Sequence, residues 1–412
     1  MGIFRGLTVS YLILFSLQTF AQKDTALSAP KKNMEYPTAV IDSSKQRDMI
    51  DVVSSLFNSH ASNDKRTKAK KLIFSIVPSA GYSLSTGFGV DLSGNVAFYT
   101  YTSRHETISF INFQTFFDSN KQKTFFSQAN IWGKDDASEL VTDIRLYKYP
   151  NSTFGLGSFT TVADEDPIDY NYIRAYVTDL KRLSGSLYIG VGYNLDYHYN
   201  ITEAGITGKP VTAYQQYGFA PNSTSSGVNL TFLYDSRTSG INPLGGYYTN
   251  LVFRQNTTVL GSDNNWESLQ LDARKYFRVS PNNNNILAFW GMAWFTFNGN
   301  APYNDLPSTG WDTFNNLGRG YVIGRFRGRD LLYLESEFRY GITRNGLLGG
   351  VVFANGQSFS EYPSGDFKKI IPSVGTGLRV KINKHSNTNV CLDYAYGFDN
   401  SQGFFVNLGE VF

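Results

Sequence analysis

In the stretch PSVGTGLRVKI, Val374, Leu378, Val380 and Ile382 share one side of an extended chain, and Ser373, Gly375, Gly377, Arg379 and Lys381 share the other. NVCLDYAYG repeats the pattern, with Val390, Leu392, Tyr394 and Tyr396 opposing Cys391, Asp393 and Ala395. In LLYLESEFRY, Leu332, Leu334, Phe338 and Tyr340 oppose Tyr333, Glu335, Glu337 and Arg339. A period of two is the signature of a strand with two unlike faces. From Leu72 onward such segments alternate with turn signals, at 74–82, 86–101, 105–117, 122–133, 139–149, 167–179, 184–201, 226–236, 245–258, 264–278, 284–298, 330–342, 347–357, 369–382, 387–398 and 402–412. That makes sixteen, an even number, as a single-chain antiparallel transmembrane barrel requires. A Lys or Arg facing lipid near the bilayer midplane costs roughly 2–4 kcal/mol, so the charged face must line the lumen.

The ends and the composition agree with an all-β barrel. The opening MGIFRGLTVSYLILFSLQTFAQ has one basic residue, Arg5, an apolar stretch over Tyr11–Phe15, and small residues at Thr19 and Ala21. It reads as a signal peptide, residues 1–21. The apolar run is shorter than the roughly 20 residues a spanning helix needs, and no other run reaches that length. The only cysteine is Cys391, so disulfides do not hold this fold. Phe and Tyr are abundant, at 32 and 27, which suits the aromatic girdles of an outer-membrane barrel. Residues 22–71 are polar and rich in Lys, Ser and Asp, and form a separate N-terminal segment before a barrel over 72–412. Within it Met49, Val52, Val53 and Leu56 fall at helical spacing and predict one short helix. The basic run NDKRTKAKK reads as a solvated linker rather than a nucleic-acid site.

The connections sort by length. Most of those after even-numbered strands are short: TSR, KDDAS, LKRL, VSPNN, TRNG and NKHS. The long ones, 150–166, 202–225, 299–329 and 358–368, all follow odd-numbered strands. Short periplasmic turns and long outer loops are the expected asymmetry, with both termini periplasmic. The sixth outer loop carries NNLGRGYVIGRFRGRD, where Arg319, Arg325, Arg327 and Arg329 stand among Gly318, Gly320, Gly324 and Gly328. A guanidinium in a lumen needs a partner, because removing one member of a buried ion pair costs roughly 3–5 kcal/mol. The alternative places these arginines on the surface, against lipopolysaccharide.

These residues resemble the barrel of the BamA/TamA superfamily of outer-membrane assembly and two-partner-secretion proteins. The resemblance covers residues 226–412 by motif and 72–225 by architecture. Arg319-Gly320-Tyr321 resembles the family's (V/I/M)RG(F/Y) motif at the tip of the sixth outer loop. YDSRTSGINPLGGYY (Tyr234, Asp235, Arg237, Pro243, Gly246, Tyr247), LESEFRY and the terminal FVNLGEVF resemble its mid-barrel turn, twelfth strand and last strand. The resemblance implies that the sixth loop folds back into the lumen and that Arg319 meets Glu337, with Glu335 beside it. Gly318 stands where the family has an apolar residue. The family's F-x-D-x-G on the thirteenth strand reads Val352 to Gly356, which puts Ala354 where its Asp stands and leaves one acid missing. No POTRA domain, the family's periplasmic receiving module, fits in residues 22–71.

Three functions follow for weighing. The first is assembly, insertion or translocation of other outer-membrane or surface proteins, as a subunit of a larger complex with other assembly proteins and client chains. The second is a plugged barrel with a passive structural or transport role among outer-membrane lipids. The third, a hydrolase, finds no support, because His60, His105, His198 and His385 form no constellation with Ser and an acid. No metal-ligand cluster or phosphate loop is present, and no cofactor is expected. Pro78 and Gly81 in the first strand, with Gly409 and Phe412 in the last, mark the seam between those strands as its weakest joint.

Overall fold

The computed structural model describes residues 46–56, 72–83, 87–101, 107–279, 284–384 and 386–412, all within one unit, Val40–Phe412. The expected signal peptide, most of the polar segment with its basic run, and His60, His105 and His385 lie outside the described residues.

Sixteen antiparallel strands form a nearly closed barrel, each laddered to the next in sequence. They are β1 (Ile73–Ser83), β2 (Gly87–Phe98), β3 (Ser109–Asp118), β4 (Lys123–Trp132), β5 (Ser138–Lys148), β6 (Asp166–Ser184), β7 (Leu187–Glu203) and β8 (Ser223–Asp235). β9 (Gly246–Asn256), β10 (Trp266–Arg278), β11 (Ile286–Phe297), β12 (Asp330–Gly341), β13 (Leu348–Phe359), β14 (Ile371–Asn383), β15 (Thr388–Gly397) and β16 (Gln402–Leu408) complete the wall. The fifth stave is broken at Pro150, which has no N–H to give the ladder. It resumes as a three-residue strand, Asn151–Thr153, still paired to β6. No helix among the described residues is long and apolar enough to cross a membrane.

The alternation read from the sequence sets the two faces. Leu334, Val374 and Phe404 point outward and are 72%, 56% and 71% exposed, while Glu337, Arg379 and Asp393 point inward and are buried. Outward-facing apolar side chains recur on nearly every stave, far beyond the few hundred Å² that a soluble monomer tolerates in one patch. β6 and β7 have 19 and 17 residues, well past the roughly 9–11 a tilted membrane strand needs, whereas β16 has only 7.

Most strand ends shift by a few residues from the sequence reading, and two of the shifts have a clear physical cause. The sixth turn, expected at LKRL, lies at Gly185-Ser186, because Leu180 to Arg182 stay in register with Gly190 to Tyr188. Gly185, at φ +56°, supplies the left-handed residue that the tight turn requires. The last strand, expected to run to Phe412, stops at Leu408. Gly409, at φ +92°, bends the chain out of the sheet, and Val411 and Phe412 are buried inside the barrel. Among the described residues no ladder joins β16 to β1; β16 pairs only with β15, and β1 only with β2.

The expected helix is α1 (Met49–Leu56). It docks on the short-turn end of the barrel. Arg47 N donates to Asn345 O at 3.0 Å, Lys384 N donates to Asp48 Oδ2 at 2.9 Å, and Lys384 Nζ bonds both Asp51 oxygens at 2.8 and 2.6 Å. Partial burial opposes ionisation of Asp51, but the Lys384 ammonium and the Asp48 N–H outweigh it and hold its carboxyl below the ordinary 3.8. A lowered folded-state pKa contributes stability above the unfolded value and loses it as pH falls. Protection of the α1 amides, corrected for intrinsic exchange, should stay constant from pH 7 to 5 and decline below about 4, where unpaired aspartates protonate. Lys384→Met should weaken docking by under about 1 kcal/mol, because the pair is partly exposed. Hydrogen–deuterium exchange over residues 49–56 reads both effects.

Candidate functional site

The connection from β11 to β12, residues 298–329, is the longest in the chain, and most of it is buried. A loop can be buried only where its backbone polar groups find partners. Part of the answer is internal. The Asp312 carboxylate accepts from the N–H groups of Phe314, Asn316 and Leu317 at 3.1, 2.8 and 2.7 Å. The rest comes from inward-facing side chains on separate parts of the wall.

On one side the anchor is Arg145 of β5. Its guanidinium donates to Asp312 O at 3.0 Å, Thr313 O at 2.8 Å and Asn315 Oδ1 at 2.7 Å. Gln128 of β4 also donates to Thr313 O. Arg145 is itself held by Asp143 at 2.8 Å, within a buried chain of ion pairs that runs through Arg174 and Asp196 to Arg254. This network was missed by the sequence reading. Its signal was present, since Asp143 and Arg145 alternate on one face of TDIRLY just as Glu335 and Glu337 do in LESEFRY.

On the other side the anchor is the loop's own Arg319. Nη1 donates to Asp393 Oδ2 of β15 at 2.5 Å, and Nη2 donates to Glu337 Oε2 of β12 at 2.7 Å and also to Glu335 Oε1. The guanidinium lies 3.7 Å from the centroid of the Phe353 ring. Its backbone is held as well, because Arg319 O accepts from Asn355 Nδ2 at 3.0 Å and Ser373 Oγ at 2.6 Å. Gly318 and Gly320 adopt φ +80° and +111°, and a Cβ at Gly320 would run into the Ser373 side chain. Tyr321 OH donates to Pro372 O at 2.5 Å and accepts from Phe398 N at 2.6 Å. Arg319, Gly320, Tyr321, Glu335 and Glu337 thus come together in one place.

The missing acid is corrected here. Ala354 faces outward, so an aspartate there would meet lipid. The inward neighbour of the loop is Asn355, one position on, and it bonds the Arg319 carbonyl. The third carboxylate comes from β15 as Asp393, which the alternation had already assigned to the inner face. Asp393 also accepts from Arg379 Nη1 at 2.5 Å, Arg379 Nε donates to Glu410 Oε2 at 2.9 Å, and Arg339 bonds Glu337. Four carboxylates therefore face three guanidiniums. Glu335, the acid without a second arginine, accepts from the Tyr333 hydroxyl.

The other loop arginines divide. Arg325 is buried and bonds Thr160 O at 3.1 Å, and Arg327 is buried and bonds Tyr303 O at 2.9 Å. Arg329 is half-exposed and bonds Gly299 O at 3.0 Å. Burial rules out surface lipid contact for the first two and for Arg319. At the seam, Pro78 sits opposite Leu92 in the β1–β2 ladder, and Gly81 sits opposite Gly89.

Among the described residues one His, Asp and Ser set comes together. His198, Asp305 and Ser225 do meet, but Ser225 Oγ donates to Asp305 Oδ2 at 2.5 Å while Asp305 Oδ1 lies 3.5 Å from His198 Nδ1. A nucleophile needs the base, not the acid, as its neighbour. His198 instead stacks on Tyr172, with centroids 4.3 Å apart. No metal-holding group of His, Cys, Asp or Glu occurs among the described residues.

Arg319→Ala would leave three buried carboxylates facing one another, at a cost of roughly 3–5 kcal/mol. The folded barrel should convert to the slow-migrating form at a lower temperature on a semi-native gel. Arg319→Glu should be worse. Adding Glu335→Arg to it should restore part of the loss, because Glu335 serves no other arginine. Adding Glu337→Arg should not, because Arg339 also depends on Glu337.

Set against known proteins, the sequence matches no family model and no curated protein. The fold does match solved structures. BamA from Haemophilus ducreyi lacking POTRA domains 1–3 superposes with a TM-score of 0.51 at 14% identity, over 82% of this chain and 70% of that one. CdiB from Escherichia coli superposes with a TM-score of 0.54 at 9% identity, over 81% of this chain and 62% of that one. The chain thus has the sixteen-stranded barrel fold of BamA and CdiB, and it spans less than two thirds of the CdiB chain.

Proposed function

We propose that this chain is an integral protein of the bacterial outer membrane that takes part in the assembly, insertion or translocation of other outer-membrane or surface proteins, as a subunit of a larger complex. The observation that carries the reading is the seam. Among the described residues β1 and β16 share no ladder, which leaves the outer edge of β1 without a strand partner there. An unpaired edge is a template for another strand, which gains affinity from main-chain hydrogen bonds whatever its sequence. In a bilayer each unpaired backbone group costs several kcal/mol, so a seam left open needs a partner to cover it.

The 298–329 loop supports a sideways route over a central one. It folds inward as a plug, latched by Arg319 on β12 and β15 and by Arg145 on β5, so the latch closes the lumen while the seam stays unzipped. In this reading the short turns, α1 and the chain ends face the periplasm, and the long loops face outward into lipopolysaccharide. A second reading, a plugged barrel with a passive role, takes its support from the density of ion pairs inside the wall.

A disulfide between cysteines placed on β1 and β16, with Cys391 replaced by Ser, separates the two. Under the first reading oxidation should deplete other outer-membrane proteins, and reduction should restore them. An unchanged outer-membrane inventory, compared by mass spectrometry with that of cells depleted of this chain, would refute the lateral route.

A further inference from the structure

We propose that the lumen holds a peptide-binding site for a short acidic–aliphatic–aromatic segment, filled here by the chain's own Gly409–Phe412. The proposal deepens the reading above by naming what the barrel would recognise, and it rests on that reading only for the identity of a partner in trans.

The segment is seated as a ligand would be. Its backbone is read at every residue. Gly409 N donates to Asn389 O at 2.8 Å, Glu410 N donates to Ile241 O at 3.0 Å, Val411 O accepts from Asn316 Nδ2 at 2.7 Å, and Phe412 O accepts from Arg339 Nη2 at 2.7 Å. Any peptide supplies those groups. Selectivity comes from the side chains. Glu410 is bonded by Arg379 Nε at 2.9 Å and Asn389 Nδ2 at 2.7 Å, with Arg339 at 3.7 Å. Val411 belongs to the buried cluster that includes Leu317 of the loop. The Phe412 ring packs against Trp290 and Tyr276 at centroid distances of 5.4 and 6.3 Å, with the Arg339 guanidinium 5.4 Å from its centroid. A cationic pocket, an aliphatic slot and an aromatic box follow one another at the spacing of consecutive residues.

The occupant is attached in a way that lets it leave. It follows a seven-residue strand that, among the described residues, is laddered only to β15, and it enters the lumen through one left-handed residue, Gly409. A segment of the same chemistry from another chain would compete for the same bonds. Asn316 makes that exchange visible to the plug, because it donates to Val411 O and accepts from Asn407 Nδ2 at 2.9 Å, three residues before Arg319.

The test is a titration of fluorescein-labelled Gly-Glu-Val-Phe into the purified full-length chain in detergent, read by anisotropy, so it does not depend on any assembly activity. Gly409→Val disfavours the left-handed bend, and the pair Val411→Ala, Phe412→Ala weakens the occupant while keeping the bend. Each should bind the peptide at least tenfold more tightly than the unsubstituted chain, with the barrel checked by circular dichroism. Adding Trp290→Ala to the double variant should lose that gain. The peptide Gly-Lys-Val-Ala should not bind. Equal affinity for parent and double variant, or for the two peptides, would overturn the site. Peptide binding together with an inert disulfide lock would keep the site and dismiss the assembly reading.

Discussion

A guanidinium held away from water must be neutralised where it sits, and Arg319 makes much of the barrel interior answer to that requirement. Its charge is met by Glu335 and Glu337 on one strand and Asp393 three strands away. Those acids are in turn shared with Arg339 and Arg379, which reach Glu410 beyond the last strand. Each member is buried, so none can be withdrawn without stranding another. Arginine suits the centre of such a network because its planar fork satisfies several carboxylates at once and never loses its charge. The flanking glycines are what let the fork arrive, since the Ser373 side chain leaves no room for a Cβ at Gly320.

The network is lopsided around the circumference. β12, β14 and β15 carry the acids and arginines around Arg319, while β5 holds the loop a few residues earlier, at Asp312 to Asn315, through Arg145. Between these anchors lie two aromatic clusters. One joins Trp290, Tyr333 and Phe359 of the wall to Leu317, Tyr321 and Phe326 of the loop, and the other joins Tyr147, Tyr170 and Tyr172 to Tyr303, Leu306 and Trp311. Cohesion is therefore concentrated between the loop and the strands it touches. Among the described residues no ladder ties β1 to β16.

Much of this was legible in the sequence. The period of two fixes the strands and their faces, because one misplaced Lys or Arg in lipid outweighs several local preferences. Arg319 and its two glutamates were legible from the resemblance and the alternation together. What escaped did so for identifiable reasons. Asp393 was already on the inner face, but which inward acid a loop arginine meets depends on how far the loop reaches, and spacing carries no such information. Ala354 counted as a missing acid, but in a strand one residue exchanges the inner face for the outer, and it is Asn355 that meets the loop. The arginine–aspartate chain through β5, β6, β7 and β9 was hidden because, apart from the Asp143–Arg145 pair, its bonded partners are 22 to 58 residues apart. The inward bend at Gly409 was hidden because Gly409–Phe412 alternates well enough to pass as a strand.

Glu410 is where these features meet. It leaves the sheet with the bend, yet it accepts from Arg379, which also bonds Asp393, and Asp393 in turn accepts from Arg319. If the segment after Gly409 swings out of the lumen, Arg379 and Arg339 lose a carboxylate and turn more fully to Asp393 and Glu337. Those two acids then offer less to Arg319. The seated segment therefore supports the loop tip, because Glu410 occupies two arginines that otherwise draw Asp393 and Glu337 away from Arg319. A change at the edge of the barrel therefore shifts the hold on the plug with no moving part between them except charge, and the coupling acts equally in reverse, because a binding free energy shared by two sites is reciprocal.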